Sequence, residues 1–241
     1  VSGTGNNDNI KTGSGNDTLK CGAGDDVLIG GAGADKLYGG IEADTTSGSA
    51  GSDTASYETA TARTLGTGAT VTGVVASLSA PSSNEGDAAG DTYISIENLT
   101  GSKFDDKLTG NSGSNTLDGD EGNDTVSYAH VTTATITATL GTNGSDGSAT
   151  GDGVDVLRNI ESLIGGSRND SLTGNEKNNT LNGADGADTL KGGAGDDILI
   201  GGTGADKLYG GIESDTASGS AGSDTASYET AAARILDTGV S

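Results

Sequence analysis

Gly192-Gly193-Ala194-Gly195-Asp196-Asp197-Ile198-Leu199-Ile200 is one copy of a nine-residue unit, G-G-x-G-x-D-x-U-x, in which U is bulky and apolar. Gly30-Gly31-Ala32-Gly33-Ala34-Asp35-Lys36-Leu37-Tyr38 is another, and the unit recurs sixteen times along 241 residues. Its glycines permit positive-φ backbone that a Cβ would oppose, so six residues can fold into a tight turn with carbonyls pointing inward. The remaining x-U-x forms a short strand whose apolar residue faces the interior, because side chains alternate along β structure. Turn, strand, turn, strand closes one coil in 18 residues. A fixed period of this kind specifies a stacked solenoid. The expected fold is all-β, a parallel β-roll interrupted by strand-rich spacer inserts. Its thin core is two facing columns, Ile10, Leu28 and Thr46 on one side and Leu19, Leu37 and Ala55 on the other.

The composition agrees with a thin core. Only 31% of residues are hydrophobic, with one Phe, no Trp and no Met, too little for the core that a globule of this length buries. Low hydrophobicity, 44 glycines and a net charge of −23 describe a chain disordered by itself, yet the regular spacing describes one that folds. A chain that folds once a cation neutralises it reconciles the two. The same charge excludes a nucleic-acid grip, which needs clustered Lys and Arg, and an anionic membrane surface repels it too. No apolar run approaches the ~20 residues of a membrane span. Cys21 is the only cysteine, so no intrachain disulfide forms; it stands at the first position of a unit as a tolerated small residue.

On the nine-residue ruler the chain divides into six parts. A first roll block spans 3–56, a spacer 57–91, a second block 92–127, a second spacer 128–155, a third block 156–227, and 228–241 begins a third spacer. The second and third blocks open with a row that carries Glu where Asp is due, Glu97 and Glu161. Within the spacers, 71–78 and 135–140 read as strands by β-branching and alternation. Residues 24–63 and 195–234 are nearly identical, 171 positions apart, which points to internal duplication. The sequence begins at Val1 with neither an initiator Met nor a secretory signal. We read it as a piece of a longer tandem array.

Aspartates 18 positions apart fall on one edge of the roll, one strand spacing of ~4.8 Å from each other. At that distance bare carboxylates repel by roughly 3–4 kcal/mol at an effective dielectric of about 20. A divalent cation between them turns repulsion into attraction. Carboxylates and carbonyls without nitrogen or sulfur select Ca²⁺ over Zn²⁺ or Cu²⁺, and flexible turns do not enforce the small octahedron of Mg²⁺. The expected metal residues are Asp8, Asp17, Asp26, Asp35, Asp44 and Asp53 in the first block and Asp106 and Asp124 in the second. The third block contributes Asp170, Asp188, Asp197, Asp206, Asp215 and Asp224. These make nine all-aspartate pairs, and Asn115 and Asn179 make weaker positions. Glu42 and Glu213 replace a turn glycine, so distorted turns are expected there. With Kd near ~0.1 mM, typical of extracellular calcium modules, each site contributes about 1.4–2.7 kcal/mol at ~1–10 mM calcium. At micromolar calcium the contribution vanishes.

These units resemble the RTX family, the hemolysin-type calcium-binding repeats of bacterial secreted proteins, and the spacers look like inserts of large RTX adhesins. The resemblance implies a parallel β-roll with calcium in its turns. It also implies type I secretion, unfolded in low calcium and folding outside, although 234–241 shows no clear C-terminal export signal. No catalytic motif competes with this reading. His130 is the only histidine, and no nucleophile elbow accompanies it. There is no P-loop or dinucleotide fingerprint, and the paired carboxylates are all explained by metal. The expectation is a non-enzymatic, extracellular or cell-surface segment of a structural or adhesive fibre, surface-layer or biofilm protein. Its partners would be calcium ions and further copies of itself or neighbouring repeats. The alternatives are a folding and secretion module of a toxin or enzyme whose catalytic domain lies elsewhere, and a free-standing secreted calcium protein.

Overall fold

The computed structural model describes residues 1–40, 43–64, 70–71, 73–211, 215–219 and 225–227. Glu42, Glu213, Asp224 and the segment 228–241 lie outside them. The chain forms two compact units, Val1–Asp124 and Thr125–Ser241. Nearly all regular structure is strand, with two short 3-10 turns at Pro81–Ser83 and Gly86–Ala88.

In the first unit alternate rows build two parallel sheets. One contains Asn9–Lys11, Val27–Ala32, Thr45–Ala50 and Thr92–Ile94, and the other Thr18–Gly22, Lys36–Gly40, Thr54–Ser56, Asn98–Thr100 and Thr116–Asp118. The register follows the 18-residue coil: Ile10 lies beside Leu28 and Leu28 beside Thr46, while Leu19 lies beside Leu37 and Leu37 beside Ala55. At the first spacer the sheets continue although the period does not. Thr46 pairs with Tyr93, Ala55 with Leu99, and Leu99 with Leu117.

The second unit repeats the arrangement. One sheet runs from Thr125–Ser127 through Ser162–Ile164, Thr180–Asn182 and Ile198–Ile200 to Thr216–Ser218. The other stacks Thr137–Thr139, Ser171–Thr173, Thr189–Gly193, Lys207–Gly211 and Thr225–Ser227 in parallel. Gly147–Thr150 and Val154–Arg158 extend this sheet antiparallel, beside Thr137–Thr139. The strands expected at 71–78 and 135–140 are observed as Thr70–Val71 with Val75–Ser77, and as Thr137–Thr139. Val75–Ser77 pairs with Lys107–Thr109. Spacer strands therefore add rungs to the sheets.

The core is two facing columns of single side chains, one from each sheet. Leu163, Leu172, Leu181, Leu190 and Leu199 are fully buried, as are Leu19, Leu28 and Leu37. Each stabilises the fold by about 1.5–3 kcal/mol. The turns close around glycine. Gly31 and Gly33 have φ of 104° and 140°, and a Cβ on either would strike the carbonyl of Gly13 or Gly15 in the preceding coil. Where the unit departs from glycine the strain shows: Asp120 and Ala184 hold φ of 71° and 70°. An outer ladder reinforces the stack one residue before the conserved aspartate position. There Asn16 accepts the N–H of Ala34 (3.1 Å), Asn169 that of Ala187 (2.9 Å) and Asn178 that of Asp196 (2.9 Å).

Candidate metal centres on the aspartate edges

Each aspartate of the unit ends a turn and points back across it. Where a unit precedes it in the stack, its Oδ1 accepts the main-chain N–H of the residue one coil earlier; at Asp106 and Asp170 the donor is a spacer residue, Val74 (2.6 Å) or Ile136 (2.7 Å). Asp35 receives Asp17 N–H (2.8 Å), Asp53 receives Asp35 N–H (2.8 Å), Asp188 receives Asp170 N–H (2.7 Å) and Asp215 receives Asp197 N–H (3.1 Å). The same bond links Asp8 to Asp26, Asp26 to Asp44, Asp106 to Asp124 and Asp188 to Asp206. At Asp35, Asp188, Asp197 and Asp215 one carboxylate oxygen is thus committed to the ladder, whereas at Asp53, Asp106 and Asp170 the second oxygen also accepts a main-chain N–H of its own turn, from Ser49 (3.2 Å), Ser102 and Gly166 (2.6 Å).

The second oxygen faces the first glycine of its own turn. At Asp35, Asp188, Asp197 and Asp215 this Oδ2 is buried and has no hydrogen-bond partner. A buried carboxylate oxygen without a donor is costly. At Gly192 an added Cβ would strike Asp197 Oδ2 and lie 2.6 Å from the Gly210 carbonyl oxygen of the next coil. At Gly183 it would strike Asp188 Oδ2 and lie 2.6 Å from Gly201 O. The missing side chain leaves a cradle walled by a carboxylate oxygen and a main-chain oxygen. Among the described residues no three His, Cys, Asp or Glu side chains converge, so the cradles at Gly183 and Gly192 offer carboxylates supplemented by carbonyls. Hard oxygen donors of this kind suit Ca²⁺.

The electrostatics point the same way. Burial, reinforced by neighbouring carboxylates, pushes Asp188 and Asp197 up to about 7. Asp170, Asp106 and Asp215 are raised as well, in each case chiefly by burial. Without a cation Asp188 and Asp197 hold charge poorly at neutral pH.

The sequence-predicted residues assemble into edges. Asp8, Asp26 and Asp44 share one, and Asp17, Asp35 and Asp53 the other. Asp8 and Asp17 are half-buried, and the remaining described aspartates of the set are buried. Asp106 joins Asp124, Asp170 joins Asp188 and Asp206, and Asp197 joins Asp215. Asn115 and Asn179 occupy the ladder differently. Asn179 Oδ1 accepts Asn175 N–H (2.7 Å) and its Nδ2 donates to Glu161 O (3.2 Å). Asn115 does the same with Asn111 N–H (2.8 Å) and Glu97 O (2.7 Å).

The edges extend further than the nine-residue ruler shows. Asp44 N–H donates to Asp91 Oδ1 (2.9 Å), which places Asp91 after Asp44. Asp53 N–H donates to Glu97 Oε2 (3.0 Å), so the extra methylene of Glu spans a shortened turn. Asp91 follows a turn that keeps only one glycine at a repeat position, Gly86; the signal present is that glycine with the half-unit Asp91-Thr92-Tyr93-Ile94. Tyr57 and Tyr128, which follow the serine ending a block, donate to Asp91 Oδ2 (2.7 Å) and Asp155 Oδ2 (3.0 Å). Elsewhere, His130 is exposed and paired with Asp152 at 2.6 Å. Cys21 is buried, and burial with the charges of Asp26, Asp44 and Asp8 pushes its thiol up to about 12. Among the described residues no helix is long and apolar enough to cross a membrane.

The model of the RTX calcium-binding nonapeptide repeat (4 copies) matches residues 2–27, 22–55, 94–126, 164–199 and 192–226. No curated protein matches the chain.

Proposed function

The chain belongs to the RTX calcium-binding nonapeptide repeat family, whose model matches more than half of it, and from that premise we propose that it is a calcium-folded segment of a secreted structural or adhesive protein. RTX repeats bind calcium. The observation that carries the reading is the row of buried Oδ2 atoms without donors at Asp35, Asp188, Asp197 and Asp215, each facing a glycine cradle.

Asp8, Asp17, Asp26, Asp35, Asp44, Asp53, Asp106, Asp124, Asp170, Asp188, Asp197, Asp206 and Asp215 would hold the ions, with main-chain oxygens of adjacent coils. Asp224, outside the described residues, belongs to the same sequence pattern. Calcium supplies the positive charge that lets neighbouring carboxylates share an edge. The protein positions its oxygens, excludes bulk water by burial and keeps the strands in register. About nine ions per chain is the expected load, with Asn115 and Asn179 the weak rungs. Near-identity of 24–63 and 195–234 favours a tandem fibre, surface-layer or biofilm role over an appendage to one catalytic domain. Export by a type I route, unfolded in low calcium, suits a chain whose fold waits for millimolar ion.

Circular dichroism of the chain from excess chelator to ~10 mM calcium tests the reading. Coil should turn into β structure. β spectra unchanged across that range overturn it.

A further inference from the structure

We propose that Tyr57 and Tyr128 are plugs that satisfy Asp91 and Asp155 in place of a cation, making the spacer junctions the calcium-independent parts of the fold. The inference rests on the calcium reading above and divides the chain within it.

Asp91 sits in the ladder as a repeat aspartate does. It follows Asp44 through the same N–H to Oδ1 bond (2.9 Å), and Thr92–Ile94 pairs in parallel with Thr45, Thr46 and Ser47. The difference is at Oδ2. In Asp35 or Asp197 that atom is buried without a donor; in Asp91 it receives the Tyr57 hydroxyl at 2.7 Å. Tyr57 is 4% exposed and Asp91 2%, so water does not supply the bond. The network continues inward. The Tyr57 hydroxyl meets that of Tyr93, Asn84 Nδ2 donates to the Tyr93 oxygen (3.0 Å), and Asn84 Oδ1 accepts Ser77 N–H (2.8 Å). Every named polar atom finds a protein partner, and buried networks of this completeness rigidify what they join.

The spacer has main-chain bonds of its own as well. Val75 and Glu85 exchange N–H to O bonds at 3.1 and 2.9 Å, and Asp91 N–H donates to Ala88 O (3.1 Å). The second spacer repeats the device: the Tyr128 hydroxyl, fully buried, donates to Asp155 Oδ2 at 3.0 Å. In both cases the tyrosine follows the serine that ends a repeat block, and the aspartate opens an Asp-x-U-x half-unit, after Gly86 and Gly90 at Asp91 and after Gly151 and Gly153 at Asp155. A buried hydroxyl on that oxygen satisfies it without an ion. The aspartate edge therefore stops at the junction, and folded spacer strands offer a template to the adjoining rows before calcium arrives.

Hydrogen exchange of the whole chain, in chelator and in millimolar calcium, separates the two readings. In chelator the amides of Val75, Ser77, Glu85 and Asp91 should exchange at least about tenfold more slowly than those of the rows carrying Asp188, Asp197 and Asp206. Calcium should slow chiefly the rows. If calcium slows neither, the calcium reading fails. If the rows respond and the junction amides are as fast as theirs in chelator, the plug fails. Counting bound calcium gives a second arm. Asp91→Asn can still accept Asp44 N–H through its oxygen and donate to the Tyr57 oxygen, because the hydroxyl rotates. It should leave the calcium count unchanged, whereas Asp197→Asn should lower it. A matching loss in both variants overturns the proposal by making Asp91 an ion ligand. Tyr57→Phe, which removes only the donor, should abolish the junction's protection in chelator; retained protection overturns the plug.

Discussion

Asn179 and Asp197 are successive rungs on one edge of the second unit, joined by Asn179 N–H donating to Asp197 Oδ1 at 2.8 Å, yet they solve burial in opposite ways. The amide is self-sufficient: its oxygen caps its own turn at Asn175 and its nitrogen reaches the carbonyl of Glu161. The carboxylate is not. It keeps one oxygen buried without a donor, and burial, with the charges of Asp215 and Asp196, raises it to about 7. One atom, nitrogen or oxygen, decides whether a rung needs an ion. The repeat is therefore two materials, a neutral rung that stands alone and a charged rung that waits for calcium.

The largest expected effect is of pH on the calcium-free protein. Asp188 and Asp197 titrate higher folded, at about 7, than unfolded, so the folded state binds more protons between roughly pH 4 and 7. In chelator the coil rows should therefore gain β structure as pH falls through that window, read by circular dichroism. Rows that stay coil in chelator on acidification break the contrast between the rungs. Calcium should raise stability at pH 7 and lose its effect near pH 4, where protons compete for the same oxygens.

Next comes Asp197→Asn, which makes the charged rung neutral. In calcium it should destabilise by about 2–3 kcal/mol, the free energy of one site near a hundredfold excess of ion over Kd. In chelator it should stabilise, because the repulsion with Asp215 disappears. The calcium concentration at which β structure forms should rise, and an unchanged midpoint of that titration would show that the rung holds no ion. The reciprocal Asn179→Asp should cost about 1–3 kcal/mol in chelator, since a carboxylate oxygen then faces the Glu161 carbonyl. Part of that cost should return when calcium is added. The smallest effect tests the turn alone. Ala184→Gly relieves a φ of 70° and should stabilise by about 1 kcal/mol in either buffer; denaturant melts measure it.

The contrast between rungs was half legible in the sequence. The period places Leu19 beside Leu37 and Asp35 in the coil before Asp53, and both relations hold in the structure. It also marks Asn115 and Asn179 as different, but only the geometry shows their amide nitrogens bonded to carbonyls. Glu97 is legible as a row that carries Glu where Asp is due, but Asp91 escapes the ruler because the chain leaves register before returning: Thr46 meets Tyr93 and Ala55 meets Leu99 across a non-periodic segment. Strand pairing requires alternation and hydrogen-bond partners, not a constant loop length, so the sheet reconnects where the repeat cannot be read. Tyr57 is visible as the end of a block, and its role depends on where Asp91 arrives.

The 18-residue register, with Leu28 next to Thr46 and Leu199 next to Ala217, has a mechanical consequence. Each coil adds one strand spacing, about 4.8 Å, to the stack, yet unravelled it would reach roughly 60 Å of extended chain. Under tension applied to its ends such a stack pays out length one coil at a time, since a coil is gripped only by its neighbours. Calcium then sets the force at which each coil lets go, and the neutral rungs at Asn115 and Asn179 mark where peeling responds least to the ion.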